Sequence, residues 1–300
     1  MAVVASPTHA DHYLITPCAM RRTKENEALA VDMHEWKFIS RLRDTRLAFT
    51  HTDIAVSPEV RMIEFPAWRA LFTSLLLWGH STGYRLPTFD EFYRRCREGY
   101  TQATARSDDS HVRRINNLRP WFDGDEERRI EGQYEPQVKE RFRGFYESGM
   151  AETYLYVCLV DAFEDALNEG VVFYDTRHDW KLKGDVTAVV REKVFLVSLF
   201  RGAIEDRAAV EAFRDRVERI RKANTMNSAH WNNQELRRWT KLQLGITDAN
   251  CQIVNGVQLP ARDEIHAVID VICDTVGITE RVRFPAVRGQ DIPQILRPGA

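Results

Sequence analysis

Three short runs of β-branched and aromatic residues constrain this chain more than any other feature: "VVFYDT" from 171, "DVTAVV" from 185 and "KVFLVSLF" from 193. Such side chains pack well on a pleated surface, so each run reads as a strand. Two segments of helical texture precede them, "EPQVKERFRGFYES" and "MAETYLYVCLVDAFEDALNEG", the second closed by Gly170 as a C-cap. An amphipathic helix is expected over roughly residues 205–223. Asn255-Gly256 between apolar runs marks a tight hairpin, because both residues tolerate the positive φ that such a turn demands. "ARDEIHAVIDVICDTVG" reads as a last helix ending at Gly277. A few strands packed with helices make this part of the chain α+β.

The first half has a different texture. Residues 1–22 read as a poorly ordered lead-in. A helical pattern starts at Thr23, with Leu29, Met33, Trp36, Ile39 and Leu42 at helical spacing. A second helix is expected from Pro66, carrying Trp68, Leu71, Phe72, Leu75 and Leu76. Thr88 and Glu91 form a capping box ahead of "FYRRCREGYTQAT". Residues 105–133 are charged and interrupted by Pro120 and Gly124, which suits a linker or surface excursion. The expected organisation is a lead-in over 1–22, a helical region over 23–133 and an α/β core with a small mixed sheet over 134–300.

Composition narrows the class. With 300 residues, 44% hydrophobic and 29% charged, the chain can bury a sizeable core. The net charge of −2 excludes neither nucleic-acid nor protein partners. Five scattered cysteines without a C-x-x-C speak against a zinc ribbon and a secreted disulfide framework. No basic start leads into an apolar core near residue 1, and "ALFTSLLLW" is too short to span a bilayer. A cytoplasmic protein without a membrane span is therefore expected.

From the helix that carries Glu152 to Arg201, the order of elements resembles the PD-(D/E)XK, or restriction-endonuclease-like, nuclease core. The matching stretch is "SGMAETYLYVCLVDAFEDALNEGVVFYDT…KGDVTAVVREKVFLVSLFRG", about residues 148–202. In that family an aspartate opening one strand and an acidic residue late on the next hold Mg²⁺, and a lysine two residues further on positions the attacking water. Hard carboxylate oxygens suit Mg²⁺, which stabilises charge on the scissile phosphate and activates water. The resemblance puts Asp185 on the metal and Glu152 in the place of the helix glutamate. Ser198 stands where the second acidic residue belongs, and Phe200 where the lysine belongs. The resemblance thus implies either a divergent Mg²⁺-dependent nuclease, with Lys193 orienting the water, or a relative that has lost catalysis.

Basic residues add to the case for DNA or RNA. Arg201 follows the third strand, "FRDRVERIRKAN" supplies Arg219, Arg221 and Lys222, and "ELRRWTKLQ" supplies Arg237 and Arg238 beside Trp239. Such a stripe can neutralise phosphates while the indole stacks on a base. Interleaved acids, including Asp215 and Glu218, equally suit a solvated helix face.

Two readings come from other classes. Helices rich in aromatics around Trp36, Trp68 and Trp78 would suit a non-catalytic module that docks a protein partner or a second copy. Gly79-His80-Ser81-Thr82-Gly83 fits the spacing of a hydrolase nucleophile elbow, although its flanks lack the required strand and helix. The histidines show no metal-ligand spacing, and His266 reads as a core or boundary residue of the last helix.

Overall fold

A computed structural model describes residues 34–44, 54–57, 60, 86–94, 134–174, 184–201, 239–284 and 294–296. They contain α1 (Glu35–Asp44), α2 (Tyr134–Val160) continuing into a π-helical turn (Asp161–Ala166), and the strands β1 (Gly170–Phe173), β2 (Val186–Val190), β3 (Lys193–Arg201) and β4 (Thr240–Ile246). The hairpin β5 (Cys251–Val254) and β6 (Val257–Pro260) follows, then α3 (Arg262–Val276) and the pair β7 (Arg281–Arg283) and β8 (Gln294–Leu296). The chain is α+β, and its main sheet is mixed.

Two compact units divide the chain: residues 40–150 with 254–257, and the remainder. Aromatic packing organises the described part of the first. The Thr88–Glu91 capping box forms as expected, with Thr88 N–H on Glu91 Oε2 at 2.7 Å and Glu91 N–H on Thr88 Oγ1 at 3.3 Å. It launches a turn whose Phe89, Phe92 and Tyr93 meet α2. Phe92 stands 5.4 Å from Tyr146, and Tyr93 lies edge-on to Phe142 at 5.4 Å. Tyr146 donates its hydroxyl to Pro87 O at 2.6 Å, so its buried oxygen is satisfied.

The two helical segments expected before the strands are one helix of 27 residues. Gly149 costs a helix interior about 1 kcal/mol, too little to break one packed on both sides. Residues 150–160, past that glycine, are all buried, as expected of a helix that is apolar all round. Gly170 is not the C-cap. Asn168 takes the left-handed conformation (φ 52°), with Glu169 N–H closing on Phe163 O at 2.9 Å, while Gly170 opens β1. Glycine is needed there for another reason: a Cβ would stand 2.6 Å from Val189 O.

In the second unit the main sheet runs β1-β2-β3-β4. The β1/β2 and β2/β3 pairings are antiparallel and β3/β4 is parallel. Arg191 and Glu192 link β2 to β3, both at positive φ (44° and 68°), the signature of a type I′ turn. The Asn255-Gly256 hairpin also forms, at φ 51° and 81°, and α3 ends at Gly277 in the left-handed region (φ 74°).

A buried polar network ties α1, α2, the β5–β6 hairpin and α3 together. Glu35, 3 % exposed, accepts the Tyr154 hydroxyl at 3.1 Å and Arg262 Nε at 3.1 Å. Gln252 Nε2 donates to Tyr154 Oη at 2.9 Å and to Pro260 O at 3.0 Å. Burial pushes the Tyr154 hydroxyl and the neighbouring Cys158 thiol well above their usual pKa ranges, so both stay neutral.

Candidate functional site

The glycine and aspartate that open β2 meet β3 at close range. A Cβ on Gly184 would lie 3.0 Å from the Leu196 side chain, so only glycine lets the chain enter the sheet here undisturbed. Asp185 then joins the ladder: its N–H donates to Val197 O at 2.9 Å, and its Oδ2 accepts the Leu199 N–H at 2.6 Å. That carboxylate caps the strand end and carries its charge where β2 begins.

Register fixes its neighbours. Val186 pairs with Val197, and because the Asp185 N–H also bonds Val197 O, two residues here face one of β3, as in a bulge; further along, Ser198 pairs with Gln243. Residues opposite one another in a ladder project to the same face. Ser198 and Gln243 therefore share one face across β3 and β4, with Ser198 8 % exposed, while the Asp185 carboxylate reaches the backbone of Leu199 next to Ser198. Beyond Gln243 lies a cleft of about 490 Å³ beside α3, where Gln243, Asn250 and Glu264 are set among Leu242, Leu244 and Val271.

Lys193 is not beside Ser198. It sits five residues back along β3, about 16 Å at the usual rise, and an odd separation turns it to the opposite face. Its Nζ donates to Thr275 O at 2.8 Å, in the last turn of α3 where carbonyls lack helical partners. Arg191, next to it in the turn, donates Nε to Glu169 Oε2 at 2.9 Å and a guanidinium N–H to Gly277 O at 3.2 Å. Both cations are structural ties at the far end of the sheet. The expectation that Lys193 orients a water beside Asp185 finds no support in this placement.

Glu152 lies in the buried half of α2, 9 % exposed. Arg201 is the last residue of β3. Arg219, Arg221, Lys222, Arg237 and Arg238 lie outside the described residues, as do residues 79–83 and the expected helices from 66 and over 205–223. His266 is a boundary residue: its ring stacks on Phe284 (5.6 Å, 13°) and Nε2 accepts the Phe284 N–H at 3.0 Å. Burial, helped by Arg283, lowers its pKa, which suits a neutral acceptor.

Comparison with protein-family models, with curated proteins and with solved structures finds no match. Among the described residues, no helix is long and apolar enough to cross a membrane.

Proposed function

We propose that this chain is a nucleic-acid-associated protein on a restriction-endonuclease-like core whose metal-dependent cleavage has been lost. The observation that carries the reading is the sheet: after a helix bearing Glu152 come three strands paired antiparallel and a fourth parallel to the third, with Asp185 at the start of the second. This is the order of elements that the resemblance to PD-(D/E)XK nucleases implies.

The donors at hand around Asp185 support loss of cleavage. Mg²⁺ wants several oxygen ligands in a tight octahedron. Asp185 offers one carboxylate, one of its oxygens already accepts the Leu199 N–H, and a serine stands where the second acidic residue belongs. This donor set does not fit Mg²⁺. Phe200, which stands where the lysine belongs, leaves the same face without a cation at that position. The stripe of Arg219, Arg221 and Lys222, together with Arg237 and Arg238, supplies the charge for phosphate contacts.

Incubation of wild-type protein with supercoiled plasmid and labelled single strands, in Mg²⁺ and in Mn²⁺, tests the lost chemistry. The expected result is no nicking above that of Asp185→Ala. Metal-dependent cutting that disappears in Asp185→Ala would restore the active-nuclease reading. Lys193→Ala is expected to change nothing in the same assay.

A further inference from the structure

The π-helical turn and the start of α1 bring together two aspartates four residues apart and a histidine 127 residues before the first of them. His34 Nδ1 stands 2.8 Å from Asp161 Oδ1 and 3.6 Å from Asp165 Oδ2, and the three ligand atoms all lie within 4.8 Å of one another. In a tetrahedral or octahedral shell with bonds of about 2.0–2.2 Å, neighbouring donors sit roughly 3.0–3.5 Å apart. The spacing here brackets that range. We infer that His34, Asp161 and Asp165 form a binding site for a divalent transition-metal ion, distinct from Asp185 and independent of the nucleic-acid reading.

This group differs from an acidic surface patch. One donor is an imidazole nitrogen, which selects ions such as Zn²⁺, Mn²⁺ or Fe²⁺ over Mg²⁺ and Ca²⁺, whose sites are built from oxygen. One carboxylate is 1 % exposed, an unusual place for a charge. Asp161 is also held in aim from behind, because its second oxygen accepts the Glu35 N–H at 2.7 Å. A fixed outer partner of this kind orients a metal-binding carboxylate and is worth a large factor in affinity. The side chains of His34 and Asp165 are 32 % and 47 % exposed, so water can reach the site. The π-helical turn that sets Asp161 and Asp165 on one side is itself a form that recurs at functional sites. When the ion binds, it takes the place of the proton that His34 Nδ1 shares with Asp161.

Titration of the full chain with Zn²⁺ and with Co²⁺ tests the site. Wild type is expected to take up one equivalent, with visible cobalt d–d bands and no sulfur charge-transfer band, which separates this site from the cysteines. His34→Ala and Asp165→Asn should each weaken binding at least tenfold and dim those bands, while Asp185→Ala should bind as wild type does. Asp161 is left intact because it also caps α1. If His34→Ala unfolds, Asp165→Asn decides, since its side chain is half exposed. Absence of a stoichiometric site in wild type, or equal binding by wild type and Asp165→Asn, would overturn the assignment.

Discussion

The two ends of the main sheet use charge in opposite ways. At the end closed by the Arg191-Glu192 turn, every described cation is spent on structure: Arg191 holds Glu169 and Gly277 O, and Lys193 holds Thr275 O. At the other end the Asp185 carboxylate accepts the Leu199 N–H, and the Ser198–Gln243 pair leads to a cleft beside α3. The turn end is stitched by cations, and the other end is capped by a carboxylate. A lysine near the right strand in sequence can therefore stand on the wrong face and at the wrong end.

Substitutions at the two ends sharpen this contrast. The largest expected loss is at the stitched end. Gly170→Ala sets a Cβ against Val189 O, a backbone atom that cannot swing away. It should cost about 3 kcal/mol, the upper part of the usual overpacking range, measured as a shift of the urea midpoint. Glu169→Ala in the same assay should cost far less, since its partner Arg191 is exposed.

At the other end Asp185→Ala strips the Leu199 N–H of a charged acceptor and should cost about 2 kcal/mol. Asp185→Asn keeps an acceptor oxygen and should cost less than half of that. Equal losses would mean that the charge itself, rather than the hydrogen bond, holds the strand end. The smallest effect has the opposite sign. Glu192 occupies the left-handed region at φ 68°, where glycine sits without strain, so Glu192→Gly should stabilise the protein by about 0.5 kcal/mol. A loss instead would show that the Glu192 side chain contributes to the turn.

These turns also show what was legible in the sequence. Asn255-Gly256 announces its hairpin because the two residues carry the φ > 0 preference themselves. The Thr88–Glu91 cap is legible for a similar reason, since its partners are three residues apart. Arg191-Glu192 adopts the same backbone with residues that do not favour it, supported by Glu169 and by the end of α3, which no local pattern reveals. The two segments on either side of Gly149 read as separate helices and Gly170 as a cap because local propensity is the only guide in sequence; packing around α2 and the approach of Val189 O decide both. At the candidate site, Asp185 and Ser198 were legible as strand positions, whereas the face of Lys193 depends on counting residues within a register that only pairing defines. His34 and Asp161 lie 127 residues apart, so no ligand spacing could join them; the one local sign was a pair of aspartates four apart at the end of a helix.

The most direct test of the proposed function is binding of a labelled duplex by the full chain, followed by anisotropy from low to high salt. Wild type should bind, and its affinity should fall with salt at a log–log slope of about −0.9 for each phosphate neutralised. Changing Arg219, Arg221 and Lys222 together to alanine should flatten that slope by about two to three units, while Asp185→Ala should leave it unchanged. No binding by wild type at low salt, or a triple variant whose slope equals that of wild type, would contradict nucleic-acid association through this stripe.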